Sequence, residues 1–310
     1  MDTQGARLRA AVIGTGYLGR IHATKYQHIP GVELVAVVDA QAEQARLVGD
    51  ALSVPYYSDY TDIFPRADLV TIATPTRSHC RIAEACLRAG LHVLVEKPMT
   101  TTLEEADALV ALARQVGRIL QVGHLKRFHP TVVALRKSGL LCRPQFMEAS
   151  RLAPFKTRSL DLDVVLDLMI HDIDLALYFF QADVVDVDAV GLSVMTDQAD
   201  VANARLRFQN GGVANLTASR VSQEVVRRLK IFQPDSFFTL DFIQNRLCVV
   251  RRGAGAVEET LLPVQSYDTL EAEISSFCKA VQSNTPPVVS GWDGRRALQV
   301  ATRIRQAIAP

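Results

Sequence analysis

Several groups of residues in this 310-residue chain have types and spacings that could do chemistry. The stretch Gly14-Thr15-Gly16-Tyr17-Leu18-Gly19 follows the apolar run Leu8 to Ile13 and opens a helical pattern from Tyr17 to about Gln27. In that strand–turn–helix context G-x-G-x-x-G binds the pyrophosphate of a dinucleotide. Gly14 permits the tight turn, Gly16 lets the backbone approach the phosphates, and Gly19 lets helix and strand pack closely. The helix N-terminus at Tyr17 and Leu18 offers N–H groups and a positive dipole end. Asp39 ends the apolar run Val32 to Val38, 20 residues after Gly19, where an acid accepts hydrogen bonds from the adenosine ribose. Ala40-Gln41 follows without an arginine to welcome a 2′-phosphate, so NAD is favoured over NADP. Lys97, in Glu96-Lys97-Pro98 after the strand His92 to Val95, could donate to a substrate hydroxyl and stabilise the alkoxide that precedes hydride loss. In the largely apolar segment Val164–Phe180, Asp167, His171 and Asp174 fall at i, i+4 and i+7, one stripe of a helix. Ionisable groups in a buried helix need a reason, and a histidine beside a carboxylate suits a general base.

The elements that must position these groups are of two kinds. The first third alternates strand and helix, with strands near Leu8–Ile13, Val32–Val38, Leu69–Ala73, His92–Val95 and Ile119–Val122. That alternation predicts a doubly wound parallel sheet, whose ligands bind beyond the strand C-termini. Thr74-Pro75 and Glu96-Lys97 stand at such ends, and His79 can line the same crevice. From about Gly123 the character changes: a strand (Gln145–Arg151) and the helix Val164–Phe180 precede strand-like runs from Val184 to Arg251, with Asn210-Gly211-Gly212 as a hairpin turn. The fold class is therefore α/β: a Rossmann domain, 1–123, plus an α+β domain, 124–310, with a large antiparallel sheet. Helices should cover one face of that sheet and a partner subunit the other, giving a homodimer or homotetramer. The last helix, 293–308, is able to pack back on the first domain.

Composition bounds the partners. Charged residues make up 22%, hydrophobic ones 48%, and the net charge is +1, which points to neither nucleic acid nor membrane. The N-terminus lacks the apolar core of a signal peptide. The five scattered cysteines contain no C-x-x-C and fit reduced thiols in the cytoplasm. No metal site is expected, since no further Cys or His falls near His171 in sequence. Against this near-neutral background, His124 to Leu160 holds eight basic residues and one acid, Glu148. Such a field suits an anionic ligand, and Arg151, Lys156 and Arg158 lie in a Pro-broken loop leading into the helix of His171.

The ordered set Gly14-x-Gly16-x-x-Gly19-x-x-His22, Thr74-Pro75-Thr76-x-x-His79, Glu96-Lys97-Pro98 and Asp167-x-x-x-His171 resembles the glucose–fructose oxidoreductase, inositol dehydrogenase and MocA family of sugar-acting oxidoreductases. The resemblance covers nearly the whole chain. It implies that Lys97 is catalytic, that the positions of His171 and Asp167 serve catalysis, that His22 lies near the cofactor, and that the Arg127-Phe128 step borders the substrate pocket. For Arg127 an inter-domain ion pair is an equal alternative. The stretches 151–158 and 163–172 look like the family branch that oxidises the 3-hydroxyl of UDP-N-acetylglucosamine. The expected protein is thus an NAD-dependent sugar dehydrogenase with a nucleotide sugar as substrate, bound by Lys97, Arg127, Arg151, Lys156, Arg158 and His171. The alternatives are a dehydrogenase of free sugars or inositol, a reductase of a carbonyl or bilin-type ligand, and a non-catalytic sensor of dinucleotide.

Overall fold

A computed structural model of the chain describes residues 7–156, 162–253 and 256–308. The chain forms two compact units, Met1–Leu125 with Asp268–Arg295, and Lys126–Tyr267 with Arg296–Pro310.

In the first unit, β1 (Leu8–Ile13), α1 (Tyr17–Tyr26), β2 (Val32–Val38), α2 (Ala42–Leu52), β3 (Tyr56–Tyr57), β4 (Leu69–Ile72), α3 (His79–Arg88), β5 (His92–Val95), α4 (Leu103–Gln115) and β6 (Leu120–Val122) follow in turn. The strands form one parallel sheet in the order β3-β2-β1-β4-β5-β6. Its central strands read as continuous apolar runs because both faces are buried. Register fixes the functional edge: Ile13 pairs with Val38 and Ile72, Ile72 with Val95, and Val95 with Val122. The residues that follow these strand ends, Gly14, Asp39, Ala73, Glu96 and Gly123, therefore emerge at one edge. The strand order reverses between β1 and β4, the switch point at which doubly wound folds bind nucleotides.

In the second unit, α5 (Pro130–Ser138) and β7 (Phe146–Leu152) come first. A π turn (Val165–Met169) then leads into α6 (Ile170–Phe180). The strands β8 (Val184–Leu192), β9 (Val201–Phe208), β10 (Val213–Ser219), β11 (Val226–Gln233), β12 (Ser236–Asp241), β13 (Arg246–Arg252) and β14 (Val257–Leu262) complete an eight-stranded sheet. Its order is β14-β13-β12-β11-β7-β10-β9-β8. The sheet is mixed rather than purely antiparallel, because β7 and β10 run parallel at its centre. One face carries Met147, Ala149, Ala202, Ala204, Leu206, Ala214, Leu216, Ala218, Leu229 and Ile231, all buried. The alanines let π turn and helix lie close, as the contacts of β10 with both show. The other face presents Glu148, Asn203, Arg205, Asn215, Thr217 and Lys230, exposed or half-buried. The hairpin at Asn210-Gly211-Gly212 forms as expected, with Gly211 at φ 83°.

After Tyr267 comes α7 (Thr269–Ser283), a helix absent from the sequence reading, as are β3 and β14. Ile274, Phe277 and Cys278 of α7 join Ala23 and Tyr26 of α1 in the core of the first unit. Each large apolar side chain so buried contributes about 1.5–3 kcal/mol. The last helix, α8 (Gly291–Ile308), starts against β6, where a Cβ at Gly294 would fall 2.5 Å from Val122.

Candidate active site

The first unit holds a cavity of about 870 Å³ at the strand edge, lined by Gly14, Gly16, Asp39, Thr74 and Pro75 among others. Gly14 has φ 91°, and a Cβ there would stand 2.7 Å from the Ala73 carbonyl; one at Gly19 would stand 1.7 Å from the Gly14 oxygen. These two glycines are needed by the protein itself. At Gly16 an added Cβ meets nothing within 4 Å, so this residue leaves room for something outside the chain. α1 begins there with no side-chain cap and no acid in its first turn, and Tyr17 and Leu18 are exposed. An open cradle beneath uncapped N–H groups fits a pyrophosphate.

Asp39 is held ready by its neighbours. Thr15 donates to Asp39 Oδ2 through its N–H at 2.8 Å and its hydroxyl at 3.0 Å, and Gln41 N–H donates to Oδ1 at 3.0 Å. The cationic side chains missing from Ala40-Gln41 reach the cavity wall from elsewhere, as Arg77 and Arg81.

At the end of β5, Lys97 rises from a buried polar base. His22, fully buried, donates through Nε2 to Glu96 Oε1 at 2.9 Å, and Lys97 N–H donates to Glu96 Oε2 at 3.2 Å. Burial alone would raise the Glu96 carboxyl; His22 and the Lys97 charge outweigh it and pull the pKa below the usual value. His79 is 1% exposed, with Nδ1 2.9 Å from the Pro98 carbonyl and Nε2 2.8 Å from the Thr74 carbonyl. It ties together the loops carrying Thr74-Pro75 and Lys97-Pro98. Burial pushes its pKa down against the pull of those carbonyls.

In the second unit, π turn and α6 sort four ionisable residues. Asp167 and His171 are half-exposed, whereas Asp172 and Asp174 are buried. Asp174, expected on the stripe of Asp167 and His171, instead receives Arg127, at 2.9 and 2.7 Å. Asp172 receives Arg151, at 2.8 and 2.6 Å. A buried carboxylate needs such a partner, and the planar guanidinium supplies two parallel bonds. Arg127 and Arg151, expected at the substrate, thus spend their forks on the protein. For Arg127 the ion pair lies within the second unit. The excess of bases counted over 124–160 is correspondingly reduced by two acids of the following helix. Lys156 is exposed, and Arg158 lies outside the described residues.

The family described as "Oxidoreductase family, NAD-binding Rossmann fold" matches residues 8–124, and the "GFO/IDH/MocA C-terminal domain" matches 135–233. The chain belongs to the GFO/IDH/MocA family. It is 43% identical over 97% of both chains to UDP-N-acetylglucosamine 3-dehydrogenase of Acidithiobacillus ferrooxidans, and 27% identical over 97% of its length to myo-inositol 2-dehydrogenase of Thermotoga maritima, 96% of which is covered. The solved structure of the Acidithiobacillus enzyme superimposes with a TM-score of 0.94, covering 97% of this chain and 98% of that one. As a GFO/IDH/MocA protein the chain is an NAD-binding oxidoreductase, related to dehydrogenases that act on sugar and cyclitol hydroxyls.

Some polar residues escaped the sequence reading. Thr15 sits inside the glycine motif, where its variable position hid its role as the partner of Asp39. Lys126 and Arg227 are far apart in the chain, yet both act on Arg151, which Arg227 faces across the β7–β11 register. In the sequence Lys126 is one charge among eight; in the fold burial pushes its amine down to about 8, helped by Arg151 and Arg227.

Proposed function

We propose that this protein oxidises the 3-hydroxyl of UDP-N-acetylglucosamine to a ketone, with NAD as cofactor. The near full-length 43% identity to a UDP-N-acetylglucosamine 3-dehydrogenase carries the reading. Retention of Lys97 at the β5 edge and of Asp167 and His171 on the open side of the π turn and α6 supports an enzyme over a sensor. Bound at Gly14, Gly16, Gly19 and Asp39, NAD supplies the hydride acceptor. Lys97, set on the Glu96–His22 base, donates to the reacting hydroxyl and stabilises its developing negative charge. His171 takes the hydroxyl proton, and Asp167 orients the imidazole. Thr74, Pro75 and the exposed Tyr17 and Leu18 would border the dinucleotide, and His79 ties the Thr74-Pro75 loop to that of Lys97-Pro98. Lys156, exposed at the end of the loop after β7, is a cation that a phosphate-bearing substrate would meet.

The protein assembles as a homo-oligomer through the uncovered face of the eight-stranded sheet. Supporting this, Phe146, Phe232 and Phe237 form a ring cluster there, with centroids 5.6 and 5.2 Å apart. Light scattering at micromolar concentration tests it: a lone monomer would refute the assembly.

The function is tested by following NADH formation. UDP-N-acetylglucosamine should be oxidised far faster than free N-acetylglucosamine, glucose or inositol, and equal rates on free and nucleotide-linked sugars would sink the substrate assignment. NAD should bind more tightly than NADP, with Asp39→Ala narrowing the gap. Because Arg77 and Arg81 line the same cavity, wild-type preference for NADP is the result that would reverse the cofactor assignment.

A further inference from the structure

We propose that Lys126 and Arg227 hold the diphosphate of the nucleotide-linked substrate; this deepens, and rests on, the nucleotide-sugar reading above. Both belong to a group gathered around Phe242 in the second unit. The Lys126 amine lies 5.8 Å, and the Arg151 guanidinium carbon 5.9 Å, from the centroid of the Phe242 ring. Arg227 stands opposite Arg151 in the β7–β11 register, and its carbonyl accepts from Phe242 N–H at 2.9 Å. His129 packs its edge on the same ring, centroids 4.9 Å apart.

Among the described residues the charges in this group do not balance. Lys126, Arg151 and Arg227 face one carboxylate, Asp172, and Arg151 already holds both of its oxygens. Among the described residues neither the Lys126 amine nor the Arg227 guanidinium has a hydrogen-bond or ion-pair partner. His129 adds no compensation; it is neutral near pH 7, its pKa pushed down to about 4 by burial and the neighbouring cations. A half-buried amine with no counter-ion and a second cation beside it is costly to a folded chain unless an anion completes it. A diphosphate brings the complementary charge and enough oxygens for both, the guanidinium taking two in parallel. The place is apt, because Asp172 follows His171 in the chain.

Burial and the flanking guanidiniums hold the amine at about 8, below a normal lysine. An anion beside it must raise that value again. Binding above about pH 8 should therefore take up a proton.

The test uses the full-length protein, with UDP and uridine as calorimetric probes and UDP-N-acetylglucosamine as substrate. Lys126→Met and Arg227→Gln should each weaken UDP binding about 10- to 100-fold, the worth of a hydrogen bond to a charged group, and leave uridine binding unchanged. KM for UDP-N-acetylglucosamine should rise by the same factor with a smaller change in kcat. Titrations above about pH 8 in buffers of differing ionisation heat should show proton uptake on UDP binding by the wild type. Lys126→Arg should keep the binding and lose the uptake. Lys126→Met should match or exceed the wild-type melting temperature, since an unmatched cation is removed; a lower melting temperature with unaltered UDP affinity marks a structural lysine and overturns the proposal. Unchanged UDP affinity and KM in Lys126→Met and Arg227→Gln would also overturn it while leaving the nucleotide-sugar reading intact. If UDP binds through Lys126 and Arg227 but UDP-N-acetylglucosamine is not oxidised, the substrate reading falls and the anion site stands for another phosphate ester.

Discussion

The two units solve the problem of holding polar groups in place by different means. The first builds its site from main chain: a glycine turn, an uncapped helix start, and strand ends brought level by register. The second builds from side chains, with buried Arg–Asp pairs Arg127–Asp174, Arg151–Asp172 and Arg220–Asp200 tying helix, strand and loop. Among the described residues of the first unit no Arg–Asp pair is as buried; Arg9–Asp68 lies at the surface. Backbone sites tolerate change in most side chains and fail at a few glycines. Side-chain sites fail wherever one member of a pair is lost.

That contrast can be broken by mutation. The largest effect should come from His171→Ala, expected to lower kcat by about 10²–10⁴-fold with NAD affinity unchanged. Near-normal turnover would remove His171 from the chemistry and leave the second unit without its central group. Next, Asp174→Ala strands the buried Arg127 and should cost about 3–5 kcal/mol in urea unfolding, whereas replacing Arg127 and Asp174 together by Met and Leu should recover most of it. A single mutant as stable as wild type would show that these pairs do not hold the second unit. Gly16→Ala should leave the melting temperature alone, its methyl meeting open space, yet weaken NAD by about 10- to 100-fold, the worth of a hydrogen bond to a phosphate. Retained affinity would mean that backbone approach at Gly16 is not what binds.

The smallest effect is a pH dependence in the first unit. His92 Nδ1 accepts the Ile119 N–H at 3.0 Å, and burial pushes its pKa down to about 4. Its folded value lies below its unfolded one, so the stabilisation is full above about pH 6.5 and lost as pH falls toward 4. Unfolding free energies measured across that window should decline, and His92→Gln should flatten part of the slope. A slope unchanged in the variant would assign the acid sensitivity to other groups.

The same contrast explains what could be read from the sequence. Glycine positions and apolar strand runs state backbone geometry directly, so the Rossmann edge, with Gly14, Asp39 and Lys97, was legible. The partners of Asp172 and Asp174 were not, because Arg151 and Arg127 reach them through folding rather than spacing. At the π turn the sequence predicts ordinary helix, since apolar residues on most sides leave no periodicity to betray a wider turn. β14 is an exposed edge strand without alternation, and the parallel pairing of β7 with β10 depends on which strands the crossover skips. α7 did carry a signal: Asp268 caps it by accepting from Glu271 N–H at 2.9 Å, an acidic cap with Glu three residues on. Nothing in linear order, however, says that residues 268–295 join the first unit.

The wide turn at Val165–Met169 sets the phase of the helix that follows it. Upstream and downstream residues of a helix are locked in angle, about 100° per residue, so the placing of an extra residue acts like an offset between two gears. Here the offset leaves Asp167 and His171 both half-exposed while Asp172 and Asp174 meet their arginines inside. Deleting one residue from the turn, Leu168 for instance, would restore ordinary helix and swing Asp167 about 100° round the axis. The downstream face, clamped by Arg127 and Arg151, would stay where it is. Length at this point, as much as residue identity, decides which face Asp167 shares with His171.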